Sequence, residues 1–373
     1  MFFVLLDHFG QTFFTEGDSP LARWMAEVGM VATPTFVAIS GMLIGFLHRS
    51  RGADFQRMRV KLVDRGLFLL LVGHLLILGA HLTRTFTLRY IFITDIVGVS
   101  MIVQPWIVTT LRPRARVWIG LVAYVVSWVV VESWHPHASL LMAVKEATVG
   151  SRDQAFMVYV FPLVPWFGFD MACTALGDRL GVHFVKGHPK AMARLMARVS
   201  LCGVLASVGL LAAHLVVKAL AHGGRLAGAA LQLAYALTSV SQKLPPAPAY
   251  LAFFGTAGSC LITFWLIAVV RGWIPRATRV AAEIGQGSFV MFTLQYYLFY
   301  TLLFLVRPRL PAAGLWPIYL FACVFAVAAA AYVWQRRGGS RFLTVGYASL
   351  VEWRRTAASG GRRSDTLVPG VTG

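Results

Sequence analysis

Apolar runs long enough to cross a bilayer constrain this chain more than any motif in it. About 20 apolar residues traverse the hydrocarbon core as an α-helix. Ten such segments can be drawn, at about 1–14, 26–47, 66–82, 90–110, 117–134, 156–176, 199–220, 248–270, 286–306 and 313–334. They are continuous rather than alternating, which argues against the lipid-facing strands of a barrel. Inside lipid each backbone group must be satisfied within its own segment, so helices are the form left. The expected fold class is all-α: a polytopic integral membrane protein with about ten transmembrane helices. Composition agrees, with 58% hydrophobic and 13% charged residues and a mean hydropathy of +0.69. A soluble chain carries roughly twice that charged fraction.

A net charge of +19 would fit a nucleic-acid partner, but its placement excludes one. Lys and Arg lie between the apolar runs and in the tail. With the amino terminus inside, the loops 48–65, 111–116, 177–198 and 271–285 and the tail from 335 hold 6, 3, 5, 3 and 7 of them, 24 of the 34. The opposite side holds the other 10, including Arg23, Arg89, Lys145, Arg152, Lys218 and Lys243. This is the positive-inside pattern, and it predicts that both termini are cytoplasmic. Residues 1–335 are expected to form one transmembrane domain, and 336–373 a basic, solvated, disordered appendage rich in Arg, Gly, Ser and Thr.

The first fourteen residues lack the basic start and small-residue cleavage site of a signal peptide and carry Asp7 and His8. They read as the outer part of a first helix that begins upstream of Met1. Two external loops are long, 135–155 and 221–247, and the second holds an amphipathic stretch from Leu226 to Tyr235 suited to the membrane interface. Cys173, Cys202, Cys260 and Cys323 stand singly, as small packing residues do.

Ionisable groups in a membrane are costly, so each is a functional hypothesis. Asp7, His8, Glu27, His74, His81, Asp95, Asp170 and His214 qualify, with the neutral Gln104 and Gln295. At about 1.5 Å of rise per residue, His8 falls roughly 9 Å below the outer edge. Asp95, a turn or two into an inward helix, lies at similar depth, as does His81. Asp7, His8, His81 and Asp95 are therefore expected to meet in the outer half of the bilayer. There a carboxylate would orient an imidazole and raise its basicity for general-base chemistry. Plainer readings stand beside this one: His81 as a hydrated interfacial residue, His74 as a helix-packing hydrogen bond, Asp170 as the cap of a broken helix. His135 and His137 form a pair without further ligands, and no metal is expected.

Several runs resemble a known family in order and spacing. Phe2-Phe3-Val4-Leu5-Leu6-Asp7-His8-Phe9-Gly10 is similar to the end of the first helix of the transmembrane acyltransferases. That broad group includes acyltransferase family 3 and the bacterial relatives of heparan-α-glucosaminide N-acetyltransferase. Pro34-Thr35-Phe36-Val37-Ala38-Ile39-Ser40-Gly41 resembles their second helix, and the basic stretch Arg57-Met58-Arg59-Val60-Lys61-Leu62-Val63-Asp64-Arg65 the loop after it. Phe161-Pro162-Leu163-Val164-Pro165-Trp166 resembles their Pro-Trp helix, and Gly285-Gln286-Gly287-Ser288 the opening of a late one. The family's Arg-Gly pair would precede Met1, and its Tyr-x-x-His pattern is replaced by Phe292-Thr293-Leu294-Gln295.

The resemblance implies transfer of an acyl group, usually acetyl, from cytoplasmic acyl-CoA to a hydroxyl or amine of a glycan or lipid-linked sugar, in a bacterial inner membrane. It makes His8 the catalytic base, with Asp7, Asp95 and His81 around it. Arg57, Arg59, Lys61 and Arg65 become the binding face for the CoA phosphates, although positive-inside anchoring explains the same four. Ser40, Gly41, Trp166 and Gln295 are the landmarks expected to shape the substrate path. A proton-coupled transporter or flippase is the competing class, since buried Asp and His also relay protons.

Overall fold

The computed structural model describes residues 1–14, 20–81, 89–152, 156–306 and 313–347. The chain opens with α1 (Phe2–Phe13), α2 (Pro20–Gly29) and α3 (Ala32–Arg51). Then α4 (Phe55–Phe68) runs through a π-helical stretch, Leu69–Gly73, into α5 (His74–Ala80). The middle of the chain forms α6 (Ile93–Thr110), α7 (Pro113–Ser133), the short α8 (Ser139–Thr148), α9 (Leu163–Val185) and the 34-residue α10 (Pro189–His222). It continues as α11 (Gly228–Thr238), α12 (Pro248–Val270), α13 (Pro275–Gln286) and α14 (Ser288–Tyr296). A second π-helical stretch, Tyr297–Leu303, leads to α15 (Phe304–Val306), and α16 (Trp316–Arg336) closes the bundle. The expected amphipathic stretch at 226–235 is the helix α11, tied back to α10 by His214 Nδ1 and Thr238 Oγ1 at 3.0 Å.

Polarity is turned inside out relative to a soluble protein. Arg116, Asp170, Gln104, Ser100, Thr174 and Gln295 are fully buried, whereas Leu205, Val208, Leu211, Phe321 and Phe325 on α10 and α16 are each more than half exposed. Such a surface is stable only against lipid. Among the described residues, seven helical stretches are long and apolar enough to cross a membrane: Pro20–Ala80, Ile93–Thr110, Pro113–Ser133, Pro189–His222, Pro248–Val270, Ser288–Val306 and Trp316–Arg336. The protein is thus an all-α, multi-pass membrane protein. Pro20–Ala80 is one helical run of 61 residues that takes in two of the ten predicted segments. The 23-residue α9, which carries Asp170, Asp178 and Arg179, stands outside the seven.

Helix α9 is nonetheless the packing centre, with α3 and α7 against it. Glycine makes this approach possible. A Cβ at Gly41 would overlap the carbonyl of Asp170, and one at Gly177 the carbonyl of Met42. In lipid, where apolar burial does not drive association, close backbone contact of this kind holds helices together. Toward one end of the same three helices, Arg116 pairs with Asp178 and also donates to Thr174 Oγ1 at 2.7 Å. His48 Nδ1 and Arg49 Nε reach the same carboxylate at 3.2 and 3.6 Å. One buried acid therefore gathers cations from α3 and α7.

At the opposite end, two loops are joined by a short parallel pairing, β1 (Tyr90–Ile91) with β2 (Tyr159–Val160). It sets Phe92 and Phe161 at the head of the bundle. Between α12 and the preceding segment, the carbonyl of Pro246 accepts from both Tyr124 Oη (2.7 Å) and Trp128 Nε1 (3.1 Å) of α7. Most of the predicted tail, 348–373, lies outside the described residues. Just before it, the Tyr347 amide donates to Asp64 Oδ1 at 3.1 Å.

Candidate active site around His8

Helix α1 has two working faces. Leu5, Leu6, Phe9 and Phe13 are buried in a cluster with Phe299 and Leu303 and residues of α16. Another side carries Asp7 and His8, and Asp7 sits so close to Gly29 of α2 that a Cβ there would strike it. The His8 ring meets Tyr296 edge-on at 4.9 Å and Tyr300 at 5.4 Å. Those two rings, four residues apart on one helix, also hold His81, at 5.4 and 5.1 Å. The structure thus places the two predicted imidazoles on a shared pair of tyrosines.

Their hydrogen bonds differ. His81 Nδ1 donates to the Ile77 carbonyl at 3.0 Å, which leaves Nε2 as the acceptor of the neutral ring. His8 Nδ1 is buried without a hydrogen-bond partner. Asp7 Oδ1 accepts from Gln11 Nε2 at 2.8 Å, one turn along α1, rather than from His8. Beside these groups lies a cavity of about 40 Å³ lined by Asp7, His8, Thr33, Phe36, Lys243 and Tyr296. A volume of that size holds roughly two or three waters.

Asp95 does not join His8 or His81. Its Oδ2 accepts from the Phe92 amide at 2.8 Å, closing the first turn of α6, and lies 2.9 Å from His74 Nδ1. The oriented carboxylate–imidazole pair that the sequence places at His8 is therefore built at His74. The Phe92 ring stands between the two sites, 5.3 Å from His74 and 5.6 Å from His81.

The remaining predicted residues are spread out. Ser40, the Gly41 amide, Ser100 and Gln104 surround Asp170, whose two carboxylate oxygens make no hydrogen bond of normal geometry. Trp166 is fully buried against Phe161 and Tyr250, and Gln295 is fully buried on α14 with neither amide atom bonded. Arg57, Arg59, Lys61 and Arg65 sit on α4. Arg57 pairs with Asp54 at 3.7 Å on the surface, and Arg59 lies 4.2 Å over the Trp106 ring. From Arg65 to His81 the helical run covers about 24 Å at 1.5 Å per residue, so these four do not reach the His8 cavity.

Sequence reading missed four participants. Lys243 comes from a distant loop and no local signal marks it. Gln11, Tyr296 and Tyr300 look like ordinary polar and aromatic helix residues. One signal was conformational: the π-helical stretches Leu69–Gly73 and Tyr297–Leu303 flank this cluster, and such stretches gather at functional sites. The second is fastened to α5, Tyr297 Oη donating to the Leu76 carbonyl at 2.7 Å and Thr301 Oγ1 to that of Ala80 at 3.3 Å. Fold and site together define a multi-pass membrane protein with a buried histidine–tyrosine cluster at one end of its bundle. In comparisons with family profiles, curated proteins and solved structures, the chain matches none.

Proposed function

We propose that this chain is a membrane-bound acyltransferase, moving an acyl group from cytoplasmic acyl-CoA to a hydroxyl or amine of a glycan or lipid-linked sugar. The observation that carries this reading is His8. Its Nδ1 is buried and unbonded, at a cavity that also presents Asp7 and Lys243. A general base needs such a ring within reach of the proton it takes. His8 accepts the acceptor's proton as that oxygen or nitrogen attacks the thioester carbonyl. The C–S bond then breaks, and the imidazolium returns the proton to the departing thiolate. Lys243 stabilises the negative charge that develops on the carbonyl oxygen. Arg57, Arg59, Lys61 and Arg65 remain the candidates for the CoA phosphates, as cations on the far end of the same helical run, all but the half-buried Arg59 exposed. No metal enters this reading.

The topology that goes with it has ten spans and both termini in the cytoplasm of a bacterial inner membrane. Two of the ten lie within Pro20–Ala80, and α1 and α9 join the six other apolar stretches. The asymmetry of 24 against 10 Lys and Arg supports it.

A second reading, a proton-coupled transporter or flippase, draws support from the His74–Asp95 pair, the arrangement that proton relays use. One experiment separates the two: acetyl-CoA binding and slow hydrolysis by the purified protein in detergent, with His8→Ala alongside. Saturable binding with hydrolysis lost in the variant supports the acyltransferase. Absence of binding overturns it and moves the proton-relay reading forward.

A further inference from the structure

A cavity larger than the one beside His8 lies elsewhere in the bundle. A groove of about 420 Å³ opens between α7, α9 and α10, within the roughly 300–1,000 Å³ usual for small-molecule sites. Its floor is the α9 stripe Ala172, Ala175 and Leu176, which continues at helical spacing to Arg179. The walls are Val117 and Trp118 of α7 and Leu195 and Val199 of α10. Trp118 is 65% exposed, so the groove opens sideways onto the lipid-facing surface.

Its charge is confined to one end. Arg114, at the start of α7, and Arg179, in the second half of α9, both line the groove and are both exposed. Asp178, next to Arg179 in the chain, is already engaged by Arg116, His48 and Arg49. Among the described residues, neither Arg114 nor Arg179 takes part in an ion pair. By the distribution of Lys and Arg, both lie on the cytoplasmic side, where the leaflet carries anionic lipid. Two uncompensated guanidinium groups at the mouth of an apolar furrow complement a phosphate with a hydrocarbon chain behind it.

We propose that this groove is a binding site for an anionic phospholipid. Arg114 and Arg179 hold the headgroup phosphate, and one acyl chain lies along Ala172, Ala175 and Leu176. The site is separate from the His8 cavity and does not depend on the acyltransferase reading.

Native mass spectrometry of the full chain, delipidated in detergent and titrated with dioleoyl phosphatidylglycerol or dioleoyl phosphatidylcholine, tests it. The expected result is a saturable adduct with phosphatidylglycerol, preferred about tenfold over phosphatidylcholine, a gap of about 1.4 kcal/mol. The double variant Arg114→Gln/Arg179→Gln should bring the two lipids to parity. Val199→Trp, which fills the groove and leaves both arginines in place, should abolish the adduct. Soluble glycerol phosphate and coenzyme A, which lack the chain, should not displace it. Parity in the wild type, an unchanged preference in the double variant, or displacement by either soluble phosphate overturns the assignment. Melting temperatures recorded for each variant separate loss of binding from loss of fold.

Discussion

His74 Nδ1 and Asp95 Oδ2 stand 2.9 Å apart, bridging α5 and α6, and the same carboxylate oxygen also accepts the Phe92 amide. This pair holds Phe92 against both histidines of α5 and its C-cap. It therefore positions the His8 cluster without touching it.

On the proposed chemistry, His8→Ala should lower acyl transfer by about 10²–10⁴-fold, the usual weight of a general base. His74→Ala acts only through Phe92 and should cost roughly tenfold or less. Steady-state kinetics of the two variants in detergent measure the difference. Equal losses would mean that His74 belongs to the chemistry, and a loss confined to His74→Ala would move the base from His8 to His74.

Lys243 is joined by a backbone bridge to Pro246, whose carbonyl Tyr124 and Trp128 both address. Removing both donors, as Tyr124→Phe/Trp128→Phe, strands that buried acceptor at a cost of about 1–3 kcal/mol. The double variant should lose turnover in parallel with Lys243→Ala, whereas either single change should be milder. Turnover unchanged in the double variant would show that the clamp does not serve the site.

The buried Asp178 is shared by Arg116, Arg49 and the His48 ring. Asp178→Asn leaves Arg116, fully buried, without its counter-charge, and should destabilise the protein by about 3–5 kcal/mol. Arg49→Gln, at a side chain 44% exposed, should cost under about 1 kcal/mol. Thermal unfolding in detergent reads both, and similar shifts would contradict the buried-pair account.

Gly41→Val places a branched side chain where the Asp170 carbonyl lies and should force α3 and α9 apart, with poor folding or a markedly lower melting temperature. Gly285→Ala, where an added Cβ meets nothing within 4 Å, should be tolerated. Size-exclusion profiles and melting curves compare them.

Membrane class was legible in the sequence, because crossing a bilayer is a local property: a helix of enough apolar residues satisfies its own backbone wherever its neighbours lie. Height was partly legible too, since rise per residue is constant, and His8 and His81 do meet at one level, on Tyr296 and Tyr300. Azimuth was not. Which way Asp95 points depends on how α6 is rotated against α5, and that rotation is set by packing between helices, so its partner became His74 rather than His8. Lys243 reaches the cavity from a loop more than 230 residues away, held by contacts no local pattern encodes. The arginine–aspartate network and the glycine contacts of α9 belong to the same category. Hydropathy determines that a segment enters the membrane, and only tertiary packing decides which polar groups find one another once inside it.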